Sequence, residues 1–379
     1  MAARRLRRTD LVRHLPSEVR AAWETLGRAG DTYLVGGALR DLLLGRPPRD
    51  FDLATAVPPG RALSLLGWPQ GALDGFGVLH GPTGDLEVVS LRSEGGYRDR
   101  RHPDVVRFGA SLEQDLLRRD FTANAIALDL GGALHDPAGG LHDLRRGLLR
   151  TVGPAGERLQ EDLLRVLRAY RLAAELGWHL HADLRAAARA LAPTLPAVSP
   201  ERVGHELWRL IRAPRGYLPL RWAAEDGVLQ AVLGSLHPTR PIAGQLPRIV
   251  GWTRGDVDEA VAEWRRIGWP RGERRLAEAA LRLRAAVLGT AGRPAWREAL
   301  ATFGAEAADV LVLAGGSRRI AAFARLYGRE GVLDRSSLCL RGLELAQREG
   351  LAGPEIGARE RELLQELWRR GKDTARSND

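Results

Sequence analysis

The chain has 379 residues, 44% of them hydrophobic, with 57 Lys and Arg against 47 Asp and Glu and a formal charge of +10. This length suits two or more domains of roughly 100–200 residues each, and the apolar content excludes a wholly disordered chain. The single cysteine, Cys339, excludes an internal disulfide framework and a cysteine-based zinc site, and no stretch approaches the roughly 18 uncharged apolar residues of a membrane helix.

The N-terminal MAARRLRRTD is basic, but no apolar run follows it. A soluble cytoplasmic protein without a membrane partner is expected. The basic excess fits a polyanionic partner. Nearly all of it is arginine, with Lys372 the one lysine, so a biased genome explains part of it as well.

The first 150 residues read as mixed α/β. TYLVGG is a short buried strand ending in a glycine turn, and ALRDLLLG a helix stopped by Gly45 and the Pro47-Pro48 pair. DFDLATA and GDLEVVSLR alternate as strands do. EGGYRDRRHPDVVRFGASLEQD, with Gly95-Gly96 and a dense arginine run, reads as a mobile basic loop. HDPAGGLHDL is rich in turn residues, and GLLRTV is a short strand. From ERLQEDLLRVLRAYRLAAELG onward the pattern is helical, broken at Pro193, Pro196, Pro200, Pro214, Pro238, Pro270 and Pro294, with strands absent.

RDFDLAT carries the first chemistry. Asp50 and Asp52 lie two apart in a predicted strand and so share a face. Like charges that close repel unless a cation sits between them. Two-metal nucleotidyl transfer needs such a pair, with metals about 3.5–4 Å apart, and hard oxygen ligands suit Mg²⁺. A solvated strand edge is the plain alternative. Gly36 and Gly37 precede the pair where a strand meets a helix, a place where backbone N–H groups approach phosphate oxygens. Arg40, one turn on, is placed to reach the same phosphates or to pair with Asp41. No P-loop pattern is present.

LVGGALRDLLLGRPPRDFDLAT closely resembles the first motif of the class II tRNA nucleotidyltransferases. These are the bacterial and eukaryotic CCA-adding enzymes, which share the motif with bacterial poly(A) polymerases. LEQDLLRRDFTANAIALDL, with Arg118, Arg119, Asp120 and Asn124, resembles the second motif. HDPAGGLHDLRRGLLRTVG, with Asp136 and Asp143, resembles the third; EDLLRVLRAYRLAAELGW the fourth; and SPERVGHELWRLI the fifth.

The resemblance covers about the first 210 residues. It implies an α+β fold: a polymerase-β-like nucleotidyltransferase head over residues 1–150, a helical neck over 151–212 that recognises the nucleobase, a helical body over 213–300 and a tRNA-binding tail over 301–379. It further implies that Asp50 and Asp52 hold two catalytic Mg²⁺ ions. Gly37, Arg40 and Arg119 would contact the nucleotide, and the neck would carry Asp162, Arg165, Arg168 and Arg171 into the pocket. Glu87, by strand position, and Asp120, by motif, are the candidates for a third carboxylate; Asp120 equally serves to orient Arg119.

The neck residues also carry a chemical argument. Asp162, Arg165, Arg168 and Arg171 are each three apart, on neighbouring turns of one helix side. A surface ion pair with a solvated arginine stripe is the plain reading. The functional reading starts from the bases. Cytosine and adenine both present an amino donor beside a ring-nitrogen acceptor, and one carboxylate beside one guanidinium fits both. Uracil and guanine reverse the order, and each mismatched buried polar group costs roughly 1–3 kcal/mol. Arg168 and Arg171 then lie near phosphates.

The resemblance implies tRNA 3′ ends, ATP and CTP as partners. By the same resemblance, the full-length basic loop favours CCA or terminal-A addition over CC alone, with a companion enzyme if only part is added. GFGVLHGPTGDLEVVSLR is closer to the CCA type than to the polymerase type. Poly(A) synthesis on other RNAs is the alternative, and so is a non-catalytic tRNA-binding relative, although Asp50 and Asp52 are both retained. Arg209, Arg212 and Arg215 are candidates for phosphate contacts.

Overall fold

The computed structural model of the protein describes residues 15–74, 77–95, 105–289, 299–300, 302–315 and 317–330, with isolated positions at 11, 296, 355, 359 and 362. Residues 96–104, the centre of the expected basic loop, lie outside them, as does Pro294.

The chain opens with α1 (Ser17–Gly27), β1 (Thr32–Val35), α2 (Gly36–Leu43), β2 (Phe51–Thr55) and α3 (Pro59–Leu66). Then come β3 (Val78–His80), β4 (Leu86–Ser90), β5 (Arg92–Gly95), β6 (Val105–Phe108), α4 (Leu112–Leu117), β7 (Ala127–Asp129), β8 (Leu134–His135) and α5 (Gly140–Arg146). Among the described residues the main sheet has the order β3-β4-β2-β1-β7-β8, with β2 and β4 parallel and the other neighbours antiparallel. In β4 the side chains alternate buried and half-buried, as a one-sided sheet requires. Val35, Ala54, Leu91, Leu116, Ala125, Ala127 and Val152 form an apolar cluster behind β1 and β2. The segment expected to be a basic loop is not loop throughout: its flanks are strand, β5 and β6 pairing antiparallel with Arg92 opposite Phe108, and its end enters α4.

The turn-rich segment 135–144 holds a helix. Asp136 accepts from the amides of Gly140 at 2.6 Å and Leu141 at 2.8 Å, satisfying the first-turn donors of α5. A Cβ on Gly140 would lie 2.0 Å from the Thr122 carbonyl oxygen, so the glycines permit close packing as well as turning. Asp143 is buried and accepts from Thr122 Oγ1 at 2.6 Å and Arg150 Nε at 2.9 Å.

The helical half begins with β9 (Leu148–Leu149), α6 (Ala155–Glu161) and α7 (Leu164–Leu176), then β10 (His179–Leu180) and α8 (Ala182–Leu191). A two-residue strand therefore interrupts a region expected to lack them; it pairs in parallel with β9. The single neck helix expected over this region is two helices. Asp162 is extended (φ −143°, ψ 106°), and its Oδ1 accepts from Leu164 N at 3.1 Å, a local turn that ends one helix and starts the next.

Among the described residues the further α-helices are α9 (Pro200–Arg212), α10 (Tyr217–Glu225), α11 (Val228–Val232), α12 (Gln245–Trp252), α13 (Val257–Arg266), α14 (Arg271–Gly289), α15 (Ala305–Ala314) and α16 (Arg318–Glu330). Pro200 opens α9, Pro214 separates α9 from α10 and Pro270 precedes α14, as expected, whereas Pro193 and Pro196 lie within a short 3-10 helix, Ala192–Ala197.

The described residues fall into two compact units. One comprises residues up to 198 with 213–231; the other comprises 199–212 with those from 232 on. In the second unit Trp208 stacks on Trp269 at 4.5 Å and Trp264 meets Trp269 edge-on at 4.9 Å. Gly204 lies against the Ile267 carbonyl, where a Cβ would be 1.9 Å away. Among the described residues no helix is long and apolar enough to cross a membrane.

Candidate active site

The register brings three features of the first unit to one place. Asp52 faces Val35 across the antiparallel β1–β2 pair and Glu87 across the parallel β2–β4 pair. Val35 leads directly into Gly36, the first residue of α2. Gly36 has φ +73°, and a Cβ there would lie 2.4 Å from Asp52 Oδ2. The glycine is required because the carboxylate occupies the place of a side chain. Gly37 is less constrained: its Cβ would make ordinary contact with Arg40 Nη2 at 3.6 Å. The first amides of α2, without helical partners, begin beside the carboxylate.

Asp50, exposed just before β2, and Asp52, half-buried within it, are the acidic pair. Burial pushes the Asp52 carboxyl up to about 6; Arg119 opposes this, and Glu87 and Asp50 add to it. Glu87 is half-exposed and contacts His80 Nδ1 at 3.3 Å, while His80 Nε2 lies 3.6 Å from Asp74 Oδ2. Of the two candidates for a third carboxylate, Glu87 is therefore the one opposite Asp52. Among the described residues no group of three His, Cys, Asp or Glu is arranged to hold a metal ion by itself.

Asp120 is engaged elsewhere. Its Oδ1 accepts from Phe121 N at 2.8 Å and Asn124 Nδ2 at 3.0 Å, and its Oδ2 stands 2.6 Å from Arg168 Nε as a close ion pair. Burial alone would raise its carboxyl, but Arg168, the Asn124 amide, Arg165 and the Phe121 amide hold it below the usual range.

Arg40 is buried; it donates from Nε to Asp41 at 2.9 Å and from Nη1 to Asn124 Oδ1 at 2.8 Å. The two readings of Arg40 are thus compatible, since it pairs with Asp41 while flanking the Gly36-Gly37 turn. Arg119 donates from Nη2 to the buried Asp115 at 3.1 Å, and Asp115 also binds Arg118. Burial works against the Asp115 charge, yet Arg119 and Arg118 hold its carboxyl below the usual range. Arg119 Nε is buried without a hydrogen-bond partner, and Nη1 lies 3.4 Å from the place of a Gly36 Cβ. Arg119 is thus aimed at the Gly36–Asp52 junction.

The four neck residues are not one stripe. Asp162 sits at the break between α6 and α7. Arg165 Nη1 pairs with Glu161 at 2.5 Å and donates to the Arg158 carbonyl at 2.8 Å. Arg168 reaches Asp120, and Arg171 is buried, paired with Glu175 at 2.6 Å. Asn124, in the second motif, joins Asp120 to Arg40. Asp115 and Glu161 add two acids to the site's surroundings, and their i,i+3 and i,i+4 spacing to Arg118, Arg119 and Arg165 is the sequence signal for them. Arg212 pairs with Glu273 at 2.7 Å, and Arg215 donates to the Leu176 carbonyl at 3.4 Å.

Comparison with known proteins bears on this geometry. Residues 32–150 match the poly A polymerase head domain, and residues 177–239 match the probable RNA and SrmB-binding site of polymerase A. The CCA-adding enzyme of Geobacillus thermodenitrificans is 42% identical over 208 residues, 54% of this chain and 51% of that protein. That of Geobacillus stearothermophilus is 43% identical over 202 residues, 52% of this chain and 50% of that protein. The sequence match thus spans about half the length of these relatives. The crystal structure of the Bacillus stearothermophilus CCA-adding enzyme in complex with CTP superposes with a TM-score of 0.68 at 28% identity, covering 94% of this chain and 93% of that one. The Thermotoga maritima CCA-adding enzyme complexed with tRNA shares the fold, with a TM-score of 0.67 at 18% identity over 93% of this chain and 92% of that one. With its mixed-sheet head, its helical remainder and these matches, the chain carries a poly A polymerase head domain and is similar to the CCA-adding enzymes, in sequence over about half its length and in fold over nearly all of it.

Proposed function

We propose that this protein adds nucleotides, without a nucleic-acid template, to the 3′ end of tRNA from CTP and ATP. The observation that carries the reading is the Asp52 carboxylate, wedged between the Gly36 turn and Glu87, with Arg119 and Arg40 flanking the same turn. A site for Mg²⁺ and a triphosphate needs this pairing of clustered carboxylates with cations and unsatisfied helix amides.

Asp50 and Asp52, with Glu87 rather than Asp120 beside them, fit Mg²⁺: all three offer hard oxygen donors, and burial first, then the charges of Glu87 and Asp50, raise the Asp52 carboxyl. When bound, the metals supply charge neutralisation at the transferred phosphorus and activation of the RNA hydroxyl. The protein's own residues orient the reactants. Gly36 and Gly37 admit the triphosphate; Arg40 and Arg119 hold its oxygens. Asp162 accepts from the amino group of cytosine or adenine, and Arg165 donates to the adjacent ring nitrogen while anchored to Glu161. Arg168 and Arg171 set the position of the helix that carries Arg165.

The four-part division into head, neck, body and tail describes these roles, with tRNA held by the C-terminal helices. We place the activity in the cytoplasm. The products favoured are complete CCA or the terminal A, in the latter case with a companion enzyme for the cytosines.

The test offers three tRNAs, ending in the discriminator base, in C and in CC, with labelled CTP or ATP. Extension that stops at CCA supports the reading. Long adenosine tails on unrelated RNAs would establish poly(A) synthesis instead, and no incorporation with retained tRNA binding would establish a non-catalytic relative.

A further inference from the structure

Four side chains form a single file through the first unit. Arg168 on α7 faces Asp120 Oδ2 at 2.6 Å, Asp120 Oδ1 accepts from the Asn124 amide at 3.0 Å, and Asn124 Oδ1 accepts from Arg40 Nη1 at 2.8 Å. The inner members are shielded from water: side-chain exposure is 13% at Asp120 and 9% at Arg40, and Asn124 is 6% exposed. Hydrogen bonds there act in a low dielectric and polarise one another, so the loss of one link is felt by the next.

The middle residue has to be an amide. Asn124 presents a donor to a carboxylate and an acceptor to a guanidinium, a combination that no carboxylate or ammonium provides. Aspartate at this position would face Asp120 with like charge, and alanine would leave Asp120 Oδ1 and Arg40 Nη1 each one partner short.

We propose that Asn124 is a positioning residue that couples Arg168, on the nucleobase side, to Arg40, on the triphosphate side. The two ends of a nucleotide are then not bound independently: the helix that reads the base and the turn that holds the phosphates are joined through one ion pair and two hydrogen bonds. This rests on the nucleotidyl-transfer reading given above.

The test is a double-mutant cycle on the full chain, read by calorimetric affinity for CTP with Mg²⁺ and, separately, for inorganic triphosphate with Mg²⁺. Arg40→Ala, Arg168→Ala and the double variant are measured in the wild-type background and again with Asn124→Ala. Asn124→Ser replaces Asn124→Ala if the latter fails to fold. Losses at independent sites multiply to within about twofold. The expected result is that the double variant's loss of CTP affinity falls short of the product by at least fivefold, and that this shortfall disappears without Asn124. Losses that simply multiply in the wild-type background overturn the proposal. A shortfall that persists unchanged without Asn124 overturns it too. A purely structural Asn124 would lower the melting temperature and leave the cycle unmoved. A wild-type chain that binds neither probe overturns the nucleotide reading itself, an outcome distinct from binding without coupling.

Discussion

Gly36 and Asp52 compete for one volume: a Cβ on Gly36 would sit 2.4 Å from Asp52 Oδ2. Gly36→Ala therefore has two effects. The left-handed backbone at φ +73° costs an L-residue about 1–2 kcal/mol. The methyl group also displaces the carboxylate, and a shift of about 1 Å at a reacting centre costs on the order of 10²-fold in rate. Single-turnover CTP incorporation should fall by at least that factor while the melting temperature drops only a few degrees. A nearly normal rate would mean that the Asp52 carboxylate can move without consequence.

The proposed metal ligand Asp52 also affects stability. Its carboxyl is raised from 3.8 to about 6, first by burial and then by Glu87 and Asp50 against the pull of Arg119. The folded state thus binds this proton more tightly than the unfolded state does. The group favours folding at low pH, and that contribution is lost as pH rises from about 4 through 6, on the order of 3 kcal/mol for a shift of this size. Asp52→Asn should melt higher than the wild type at pH 8 without metal, with the gap closing toward pH 5. Added Mg²⁺ should raise only the wild type. Melting curves across pH check both, and a less stable Asn variant at pH 8 would contradict the expectation.

Asp162 tests base choice. Asp162→Ala removes the proposed acceptor for the base's amino group and also the local turn that starts α7. Discrimination of CTP against UTP should fall by at least about tenfold, more than the apparent affinity for CTP falls, since the mismatch penalty of roughly 1–3 kcal/mol disappears. Competition assays with both nucleotides read this directly. Unchanged selectivity would remove Asp162 from base recognition.

Away from the site, Asp226 ties α10 to α7 and α8. Its carboxylate is fully buried and accepts from Tyr170 Oη at 2.7 Å, Arg185 Nε at 2.7 Å and Arg189 Nη2 at 2.7 Å. Burial disfavours its charge, but Arg185, Tyr170 and Arg189 outweigh that and hold it below its unfolded value of 3.8. Its contribution is present above that pH and lost as pH falls through the lowered value. Asp226→Ala should cost about 1–3 kcal/mol, chiefly because it leaves the buried Tyr170 hydroxyl without its acceptor, while Arg185 and Arg189 can reach water. Thermal melts at pH 7 should show the loss, and the difference from wild type should shrink on acidification.

The strand–turn–helix around Gly36 and the acidic pair were legible because alternation, a Gly-Gly turn and paired carboxylates are local signals. The break at Asp162 was not, since Leu159, Leu163 and Leu167 keep helical spacing straight through it. Nor was α5 legible, because its glycines read as turn residues until Asp136 is seen to cap it. The partners of Arg40 were hidden for another reason. Asn124 lies 84 positions away, and only the fold brings the two together. Glu87 is a candidate from its strand position alone, and sheet register places it opposite Asp52. The expected stripe of Asp162, Arg165, Arg168 and Arg171 separates because each arginine finds a different acid: Glu161, Asp120 and Glu175.

The Leu176 carbonyl, at the end of α7, receives Arg46 at 3.1 Å and Arg215 at 3.4 Å, while Arg168 holds the middle of the same helix to Asp120. A helix fastened at its end and its middle has little freedom left to lose when a nucleotide arrives. Its ordering entropy is spent during folding, not during binding. Selectivity between bases that rests on such a helix should appear in calorimetry chiefly as a difference in enthalpy, with the entropy of binding nearly the same for accepted and rejected nucleotides.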